Sequence, residues 1–432
     1  MFVSDCLGVN GAGHLTIGGC DTLDLAAQYG TPLYVVDETQ LRQNCRAYVR
    51  SLAHFYGGNG LALFASKAFC CKEVIRIMAQ EGMGLEVCSG GELVTALSVG
   101  FPVERIYFHG NNKTPAELEM AVRHDVGHVV ADNLEELRRL DAEAVRQGKR
   151  VKILLRVKPG IDAHTHNFIR TGQIDSKFGF ALETGEAMAA AKAAAASANL
   201  ELCGVHCHIG SQIFDVSPFE LAAEVMFGFM AQIKAECGVE LRELDLGGGF
   251  GVQYDQSDTP RPYAEYMEAV AKTLAAKAEE HGLAIPFILL EPGRSIPASA
   301  GITLYTVGAV KEIPGVRRYV LTDGGMNDNP RYILYGAHYT VLNAGRAGEE
   351  AGETYTIAGR CCETGDLIQE YTKVQPTQTG DVLAVLATGA YNYSMSLNYN
   401  RIPRPPVVMV REGEARVIIK AETFEDICRN DM

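Results

Sequence analysis

Short apolar runs alternate with segments of helical periodicity along most of the chain. From residue 37 to about residue 300, each apolar run ends in glycine or polar residues and is followed by apolar positions at helical spacing. The eight runs are residues 61–66, 84–88, 105–108, 128–131, 151–157, 202–206, 243–246 and 287–290. Eight strands that alternate with helices over about 250 residues are typical of a (β/α)8 TIM barrel. We therefore predict such an α/β barrel over residues 37–300.

The pattern changes to β-type alternation at residue 301. The predicted strands are residues 301–310, 318–321, 355–357 and 381–386, and a hairpin of 407–410 with 416–419. No long helical pattern interrupts them, so residues 301–432 are predicted to form a second, all-β domain. The strand-like segment 33–36 has no local partner, and residues 1–36 are expected to join the second sheet. Residues 343–353, rich in Gly, Ala and Glu, are predicted to be a mobile surface loop.

Two helices carry a start signal. Thr114 and Ser217 are each followed by proline and, three positions on, by Glu117 and Glu220. This spacing predicts capping boxes at both helix starts.

Composition narrows the possible partners. The 432 residues are 47% hydrophobic and carry a net charge of -14, which disfavours nucleic acids and anionic membranes as partners. Twelve cysteines without regular spacing do not form a disulfide pattern and favour the reducing cytoplasm. Residues 1–5 lack a basic segment and an apolar core, and no apolar run reaches 18 residues, so we expect neither a secretion signal nor a membrane span.

Residues with reactive side chains follow the carboxyl ends of the apolar runs. Polar or glycine-rich segments come directly after the runs, at Lys67, 89–92, 109–111, 132–133, 158–160, 208–211, 247–249 and 291–294. Because active sites of TIM barrels lie at the carboxyl ends of the strands, this placement predicts a catalytic face. Lys67 ends the first strand, where its amine is suited to nucleophilic chemistry. A surface lysine with its stem along the apolar surface is the alternative.

Two further segments are candidates for cofactor binding. Gly247, Gly248 and Gly249 follow the seventh strand. The motif alone is explained equally well by a tight turn without a ligand, but barrels often bind phosphate at this position, which favours a phosphate site. Glu291 and Arg294 follow the eighth strand, either as an ion pair or as cofactor contacts. Together with Lys67 they suggest pyridoxal 5'-phosphate, with the lysine for the aldehyde, glycines for the phosphate and a carboxylate for the pyridine nitrogen.

Histidine and cysteine pairs have competing explanations. His206 and His208 lie two apart and face the same way, but no third ligand stands at zinc spacing, so no metal is expected and His208 is better suited to stack on a planar cofactor. Free cysteines such as Cys361 and Cys362 are usually buried small hydrophobes. Their neighbours Glu363 and Asp366 suggest proton transfer instead.

Motifs spread over nearly the whole chain resemble one family. They are Phe64-Ala65-Ser66-Lys67-Ala68, Ser89-Gly90-Gly91-Glu92-Leu93, Asp162-Ala163-His164-Thr165-His166, Ser176-Lys177-Phe178-Gly179, His208-Ile209-Gly210-Ser211, Gly247-Gly248-Gly249, Glu291-Pro292-Gly293-Arg294 and Cys361-Cys362-Glu363-Thr364-Gly365-Asp366. Together they are similar to the diaminopimelate decarboxylases of the alanine-racemase-like fold. That resemblance implies a pyridoxal-phosphate-dependent homodimer with active sites at the subunit interface, which makes lysine from meso-diaminopimelate.

The resemblance also implies a role for each site residue. Lys67 would hold the cofactor as a Schiff base, His208 would stack on its ring, and Glu291 would contact the pyridinium nitrogen. The phosphate would be bound by Ser211, Gly249, Gly293 and Tyr391, with Gly247, Gly248 and Arg294 also in the cofactor site. The substrate would be held by Arg294, Arg331, Tyr335, Tyr391 and Glu363. Cys362 of the other subunit would return a proton.

Small departures from the family pattern occur. Phe69 and Lys158 stand where many members have Asn, and Cys88 where Val is usual. None touches the implied chemistry, although Lys158 could change a hydrogen bond near the barrel mouth.

Two other functions remain open from the sequence. A decarboxylase of the same fold could act on ornithine, lysine, arginine or carboxynorspermidine. Glu363 after Cys362, with Arg331 available, favours a substrate with a second amino-acid head group. A non-catalytic protein that binds pyridoxal phosphate is a different class, and it would have no need of the Cys362 thiol.

Overall fold

A computed structural model describes residues 2–161 and 175–432. The motif at residues 162–166 lies outside the described residues. The strands are β1 Leu7–Val9, β2 Leu15–Ile17, β3 Cys20–Asp21, β4 Leu33–Asp37, β5 Gly60–Ala65, β6 Gly84–Val87, β7 Ile106–Phe108, β8 His128–Ala131, β9 Val151–Lys158, β10 Phe180–Ala181, β11 Leu200–His206, β12 Glu243–Asp245, β13 Phe287–Leu290, β14 Gly301–Ile313, β15 Arg317–Thr322, β16 Val341–Asn343, β17 Glu353–Ala358, β18 Leu367–Val374, β19 Val382–Val385, β20 Val407–Arg411 and β21 Glu414–Ile419.

Helices alternate with the strands in the first two thirds of the chain. The α-helices are α1 Thr22–Tyr29, α2 Glu38–Phe55, α3 Lys72–Gln80, α4 Gly90–Leu97, α5 Pro115–Arg123, α6 Leu134–Gln147, α7 Glu186–Ala196, α8 Ser217–Cys237, α9 Tyr263–His281, α10 Arg331–Tyr335 and α11 Phe424–Cys428. In residues 2–161 and 175–432, none of them combines the length and the apolar character that a membrane span requires.

The chain divides into two compact units. One unit comprises Met1–Asn44, Val252–Thr259 and Arg294–Met432, and the other comprises Cys45–Gly251 and Pro260–Gly293. We call them the β-unit and the barrel unit. The domain boundaries at 1–36, 37–300 and 301–432 stay predictions.

The barrel unit is a closed parallel barrel, as the alternating pattern predicted. Each neighbouring pair in the order β5, β6, β7, β8, β9, β11, β12 and β13 is parallel, and β13 pairs with β5 to close the ring. Alternate residues of each strand face inward. Leu63, Val130, Leu154 and Leu289 form a buried apolar layer across the interior, with Tyr107 packed in the same cluster.

One of the two predicted capping boxes is correct. Thr114 accepts a hydrogen bond from the Glu117 N–H and the Glu117 side chain bonds back to the Thr114 backbone, which makes the reciprocal pair at the start of α5. The box predicted at Ser217 is wrong. Val216 already has helical backbone angles (φ -80°, ψ -36°), so Ser217 lies within the first turn, and the cap residue Val216 has no side-chain acceptor.

The β-unit is built around a sheet in the order β18, β17, β15, β14, β4, β20, β21. The amino-terminal strand β4 lies inside this sheet, antiparallel to β14 and parallel to β20. Its residues Leu33 and Val35 are fully buried in the core of the unit. Strand β18 has no counterpart among the predicted strands, because two register shifts against β17 break its alternation of buried and exposed residues.

Candidate active site

Lys67 stands at the carboxyl end of the first barrel strand, as predicted. It follows β5 in the short turn Ser66–Ala68, and its side chain is 43% exposed. Nζ lies 3.0 Å from Oε1 of Glu86, whose side chain on β6 is only 2% exposed. The buried carboxylate therefore orients an amine that remains accessible at the open end of the barrel. Sequence analysis missed Glu86, although an acid within an otherwise apolar run was a usable signal.

Glu291 lies between two buried histidines. Its Oε1 is 2.8 Å from Nε2 of His109, and its Oε2 is 3.2 Å from Nε2 of His206. Burial raises the pKa of Glu291, but the neighbouring His109 and the hydrogen bonds of both histidines outweigh it and hold the pKa well below its usual value. Glu291 is therefore an ionised carboxylate in a closely packed interior.

His206 is neutral, which agrees with an ionised Glu291 that accepts its hydrogen bond. Burial lowers the pKa of His206 to about 4, so the ring is uncharged at neutral pH. Because the carboxylate of Glu291 can only accept, the proton of His206 lies on Nε2 and is donated to Glu291. His109, which the sequence placed at the catalytic end without a role, joins His206 and Glu291 from the end of a strand far away in the sequence.

Asp245 is a second buried carboxyl group near Glu291. Burial raises its pKa well above the usual value, and the negative charge of Glu291 raises it further. Asp245 also accepts a 2.8 Å hydrogen bond from the Gly247 N–H. The pair thus holds one proton and one negative charge, with the charge on Glu291.

His208 is a neutral ring next to the glycine triplet. Burial lowers its pKa well below the usual value, and the positive charge of Lys67 lowers it further. The Gly248 N–H donates a 3.3 Å hydrogen bond to Nδ1, which leaves the ring proton on Nε2. A neutral, fixed imidazole with a flat face suits stacking on a planar cofactor.

The glycine triplet holds three strand ends together. Gly247 accepts a 2.8 Å hydrogen bond from the Glu291 N–H, and a Cβ atom on Gly248 would lie 2.1 Å from the Glu291 carbonyl oxygen. Gly249 accepts from the Ile213 N–H at 2.9 Å, which brings the loop containing Ser211 alongside. These close approaches explain why the three positions are glycine. Because glycine has no side chain, polar backbone groups lie at the catalytic end of the barrel here.

Gly293 follows Glu291 in a segment fixed to the first strand. The carbonyl of Pro292 accepts a 3.2 Å hydrogen bond from the Ala65 N–H, so the residues before Gly293 lie beside the end of β5. Lys67, Glu291 and the triplet therefore share one rim of the barrel unit.

In the β-unit, two buried arginines meet at one tyrosine. NH1 of Arg294 donates a 2.6 Å hydrogen bond to the Tyr254 hydroxyl, and NH1 of Arg331 donates to the same oxygen at 3.0 Å. Arg331 also donates to the Tyr339 hydroxyl at 2.9 Å. Burial raises the pKa of Tyr254, but the two guanidinium groups outweigh it and lower the pKa. Tyr254 and Tyr339 were not predicted, since a lone tyrosine carries no sequence signal of its partners.

Tyr335 and Tyr391 complete this arginine–tyrosine cluster. The guanidinium carbon of Arg294 lies 5.0 Å from the Tyr391 ring centre, and that of Arg331 lies 5.9 Å from it and 5.8 Å from Tyr335. Among the described residues, Arg331 has tyrosine hydroxyls as its hydrogen-bond acceptors and no carboxylate within salt-bridge distance. Such a positive charge is suited to bind a carboxylate ligand.

Cys362 and Glu363 are exposed at the tip of a fixed loop of the β-unit. The buried carboxylate of Asp366 accepts hydrogen bonds from the backbone N–H groups of Cys361 and Met326, each at 2.6 Å. Burial raises the pKa of Cys361 to about 12, so this thiol stays protonated inside the unit. The two adjacent cysteines therefore differ: Cys361 is a packing residue, and Cys362 presents its side chain outward.

The comparisons with known proteins agree with this geometry. Residues 38–298 match the family model of the pyridoxal binding domain of pyridoxal-dependent decarboxylases, which defines the class. A diaminopimelate decarboxylase from Bacillus subtilis is 47% identical over all of this chain and 98% of its own, and one from Halalkalibacterium halodurans is 46% identical with the same coverage. A crystal structure of diaminopimelate decarboxylase from M. jannaschii in complex with L-lysine superposes with a TM-score of 0.93 at 33% identity, covering 100% of this chain and 99% of that one. The chain belongs to the diaminopimelate decarboxylase family.

The barrel rim fits pyridoxal 5'-phosphate, the cofactor of this class. It offers an accessible amine at Lys67 and the ionised carboxylate of Glu291. The neutral His208 is suited to contact the cofactor ring, and the backbone around Gly249 is suited to bind its phosphate.

Proposed function

We propose that the chain decarboxylates meso-2,6-diaminopimelate to L-lysine and CO2. The observation that carries this proposal is the ionised Glu291, buried between His109 and His206 on the same rim as Lys67. When bound, pyridoxal phosphate supplies a conjugated ring that takes up the electron pair left by the departing CO2.

The barrel residues would hold and tune the cofactor. Lys67 would bind it covalently through Nζ, with Glu86 holding the lysine in place. Glu291 would stabilise a proton on the pyridine nitrogen because a carboxylate is a charge-assisted acceptor. His208 would cover one face of the ring and exclude water from it. Ser211, the triplet Gly247 to Gly249, Gly293 and Tyr391 would bind the phosphate, with Arg294 as a further cofactor contact.

The arginine–tyrosine cluster and the exposed loop would select the substrate. Arg294 and Arg331 bind the distal carboxylate, with Tyr335 and Tyr391 around it, and Glu363 binds the distal ammonium. The thiol of Cys362 returns a proton to the carbon that has lost its carboxylate. This division of labour explains why Arg331 is buried among hydroxyl acceptors instead of being paired with an acid.

We further propose a cytoplasmic homodimer in which Cys362 and Glu363 serve the site of the partner subunit. Their exposure in the single chain is consistent with a role at a second surface. All twelve cysteines are free thiols, which a reducing compartment preserves.

Other decarboxylases of this fold are the competing assignment. A substrate such as ornithine or L-lysine has no distal carboxylate, so it would leave the buried charge of Arg331 without an anionic partner. A protein that only binds the cofactor would need neither Arg331 nor the Cys362 thiol.

Borohydride reduction tests the proposal. The purified protein should absorb as a cofactor–lysine imine, and reduction followed by peptide mapping should find the label on Lys67. Lys67→Ala should abolish the absorbance and the formation of L-lysine from meso-diaminopimelate, whereas the exposed neighbour Lys72→Ala should change neither. A label on another lysine, or faster turnover of ornithine than of meso-diaminopimelate, would overturn it.

A further inference from the structure

A second group of metal-binding side chains lies inside the barrel, at the end opposite the catalytic rim. His128 and Glu243 are the first residues of β8 and β12, so both stand at the amino-terminal end of the strands. One ligand atom from each of His128, Cys203 and Glu243 lies within 4.8 Å of the other two. The apolar layer formed by Leu63, Val130, Leu154 and Leu289 separates these residues from the catalytic end.

We propose that His128, Cys203 and Glu243 bind a Zn²⁺ ion. Imidazole, thiolate and carboxylate are the three side-chain ligand types that Zn²⁺ uses, whereas Mg²⁺ and Ca²⁺ prefer oxygen ligands alone. Three protein ligands leave the fourth tetrahedral position to water.

The spacing of the donors supports this assignment. Nε2 of His128 lies 3.1 Å from Oε1 of Glu243. Neighbouring ligands of a tetrahedral zinc are separated by about 3.3–3.6 Å, as follows from bond lengths of about 2.0–2.3 Å. Two of the three donors are thus close to the separation that the metal requires, and a ligand atom of Cys203 lies within 4.8 Å of both.

The state of His128 is a second, independent observation. The side chain is 7% exposed, and within the described structure neither ring nitrogen has a well-aligned hydrogen bond. Buried imidazoles normally satisfy at least one nitrogen, and an unsatisfied one is costly. A cation on Nε2 would supply the missing partner.

The backbone conformation at Cys203 also supports a metal site. Leu202 and Gly204 pair with the consecutive residues Ile153 and Leu154, so Cys203 is the extra residue of a β-bulge in β11. Bulges change the direction of a side chain, and this one permits Cys203 to join ligands on β8 and β12.

Tyr107 would fix the other two ligands from the outer shell. Its ring stacks on His128 with centres 4.4 Å apart and an angle of 11°, and its hydroxyl donates to Oε2 of Glu243 at 3.3 Å. Partners of this kind orient metal ligands in known sites. The three ligands come from strands far apart in the sequence, which is why no zinc spacing was visible there.

Zinc binding to the cofactor-loaded enzyme tests the site. After chelation and dialysis against micromolar ZnCl2, metal analysis should find about one zinc per chain, and X-ray absorption should show one sulfur ligand among nitrogen and oxygen ligands. Cys203→Ser should weaken zinc binding by about 100-fold, and Glu243→Gln by about 10-fold or more. The matched control Cys237→Ser, a thiol at the end of α8, should bind zinc like the unchanged enzyme.

The metal analysis and the X-ray absorption spectrum decide the proposal independently of the decarboxylase assignment. Zinc should raise the melting temperature of the unchanged enzyme and leave kcat unaltered, because the catalytic end is separated from the site. Absence of stoichiometric zinc, a spectrum without sulfur, or undiminished binding by Cys203→Ser would overturn it. If Cys203→Ser does not fold, the X-ray absorption spectrum of the unchanged enzyme decides alone.

Discussion

His206 donates a 3.2 Å hydrogen bond to the carboxylate of Glu291 in the barrel interior. The pair is asymmetric, because burial keeps the histidine neutral while the carboxylate stays ionised. Any cationic ring nitrogen placed at this end of the barrel would therefore meet a negative charge that protons do not readily neutralise.

This pair predicts an acid-dependent loss of stability. The pKa of His206 is about 4 when folded and about 6.5 when unfolded, so the unfolded chain takes up a proton first as the pH falls. The stability that the neutral ring contributes is complete above pH 6.5 and is lost between pH 6.5 and 4, by about 3 kcal/mol. Glu291 adds to the loss only below its ordinary pKa of about 4.3, because its folded pKa is depressed.

Melting temperatures of the cofactor-free protein between pH 7.5 and 4.5 measure this effect. His206→Gln should flatten the curve in this window, whereas the exposed His124→Gln should follow the unchanged protein. Parallel curves for all three proteins would show that folding does not lower the pKa of His206.

Tyr254 predicts a defect in substrate binding. Tyr254→Phe removes the acceptor shared by Arg294 and Arg331, and an unsatisfied buried donor costs about 1–3 kcal/mol. The two guanidinium groups would then lose their fixed spacing, so KM for meso-diaminopimelate should rise about tenfold or more, with a smaller change in kcat. Steady-state kinetics check this, with the exposed Tyr399→Phe as control. An unchanged KM would mean that the cluster is structural.

Glu363 predicts substrate selection at the distal ammonium. Loss of a charge-assisted partner in a desolvated site costs about 2–5 kcal/mol, so Glu363→Gln should lower kcat/KM by about 30-fold or more. Cofactor absorbance should not change, since Glu363 lies on the exposed loop of the β-unit. The exposed Glu414→Gln serves as the matched control. Equal losses in both variants would contradict a specific contact.

Subunit mixing tests the shared site. Lys67→Ala and Cys362→Ala should each be nearly inactive. If they are unfolded and reassembled in equal amounts, about half of the dimers are mixed, and each mixed C2 dimer has one site with both defects and one with neither. About a quarter of the unchanged activity should return. With exchange shown by differently tagged chains, no recovery would confine the chemistry to single subunits.

The sequence was sufficient for the barrel and for its catalytic end. Alternating strand and helix periods place Lys67 and Glu291 at strand ends, and parallel strands bring those ends to one rim. The shared position of the two residues therefore follows from the pattern alone. Periodicity also located the β-unit, although the register shifts in β18 concealed that strand.

The partners of these residues could not be predicted in the same way. Glu86, His109, Asp245 and Tyr254 act through burial and through contacts across the barrel or the sheet. No spacing encodes such contacts, since they depend on which strands become neighbours. The box at Ser217 failed for a related reason, because a local motif was overruled by backbone that was already helical at Val216.

The position of β4 has a consequence for synthesis on the ribosome. Leu33–Asp37 is buried along its whole length between β14 and β20, and the second of these begins only at Val407. At about 5–20 residues per second, roughly 20–75 s separate the emergence of Asp37 from that of Val407. Both edges of this apolar strand are unpaired until β14 emerges, and the edge that pairs with β20 stays open to other nascent chains until Val407 follows. Yield of the native protein should therefore depend on a chaperone that covers the first forty residues during translation, and a slower ribosome would prolong the hazard.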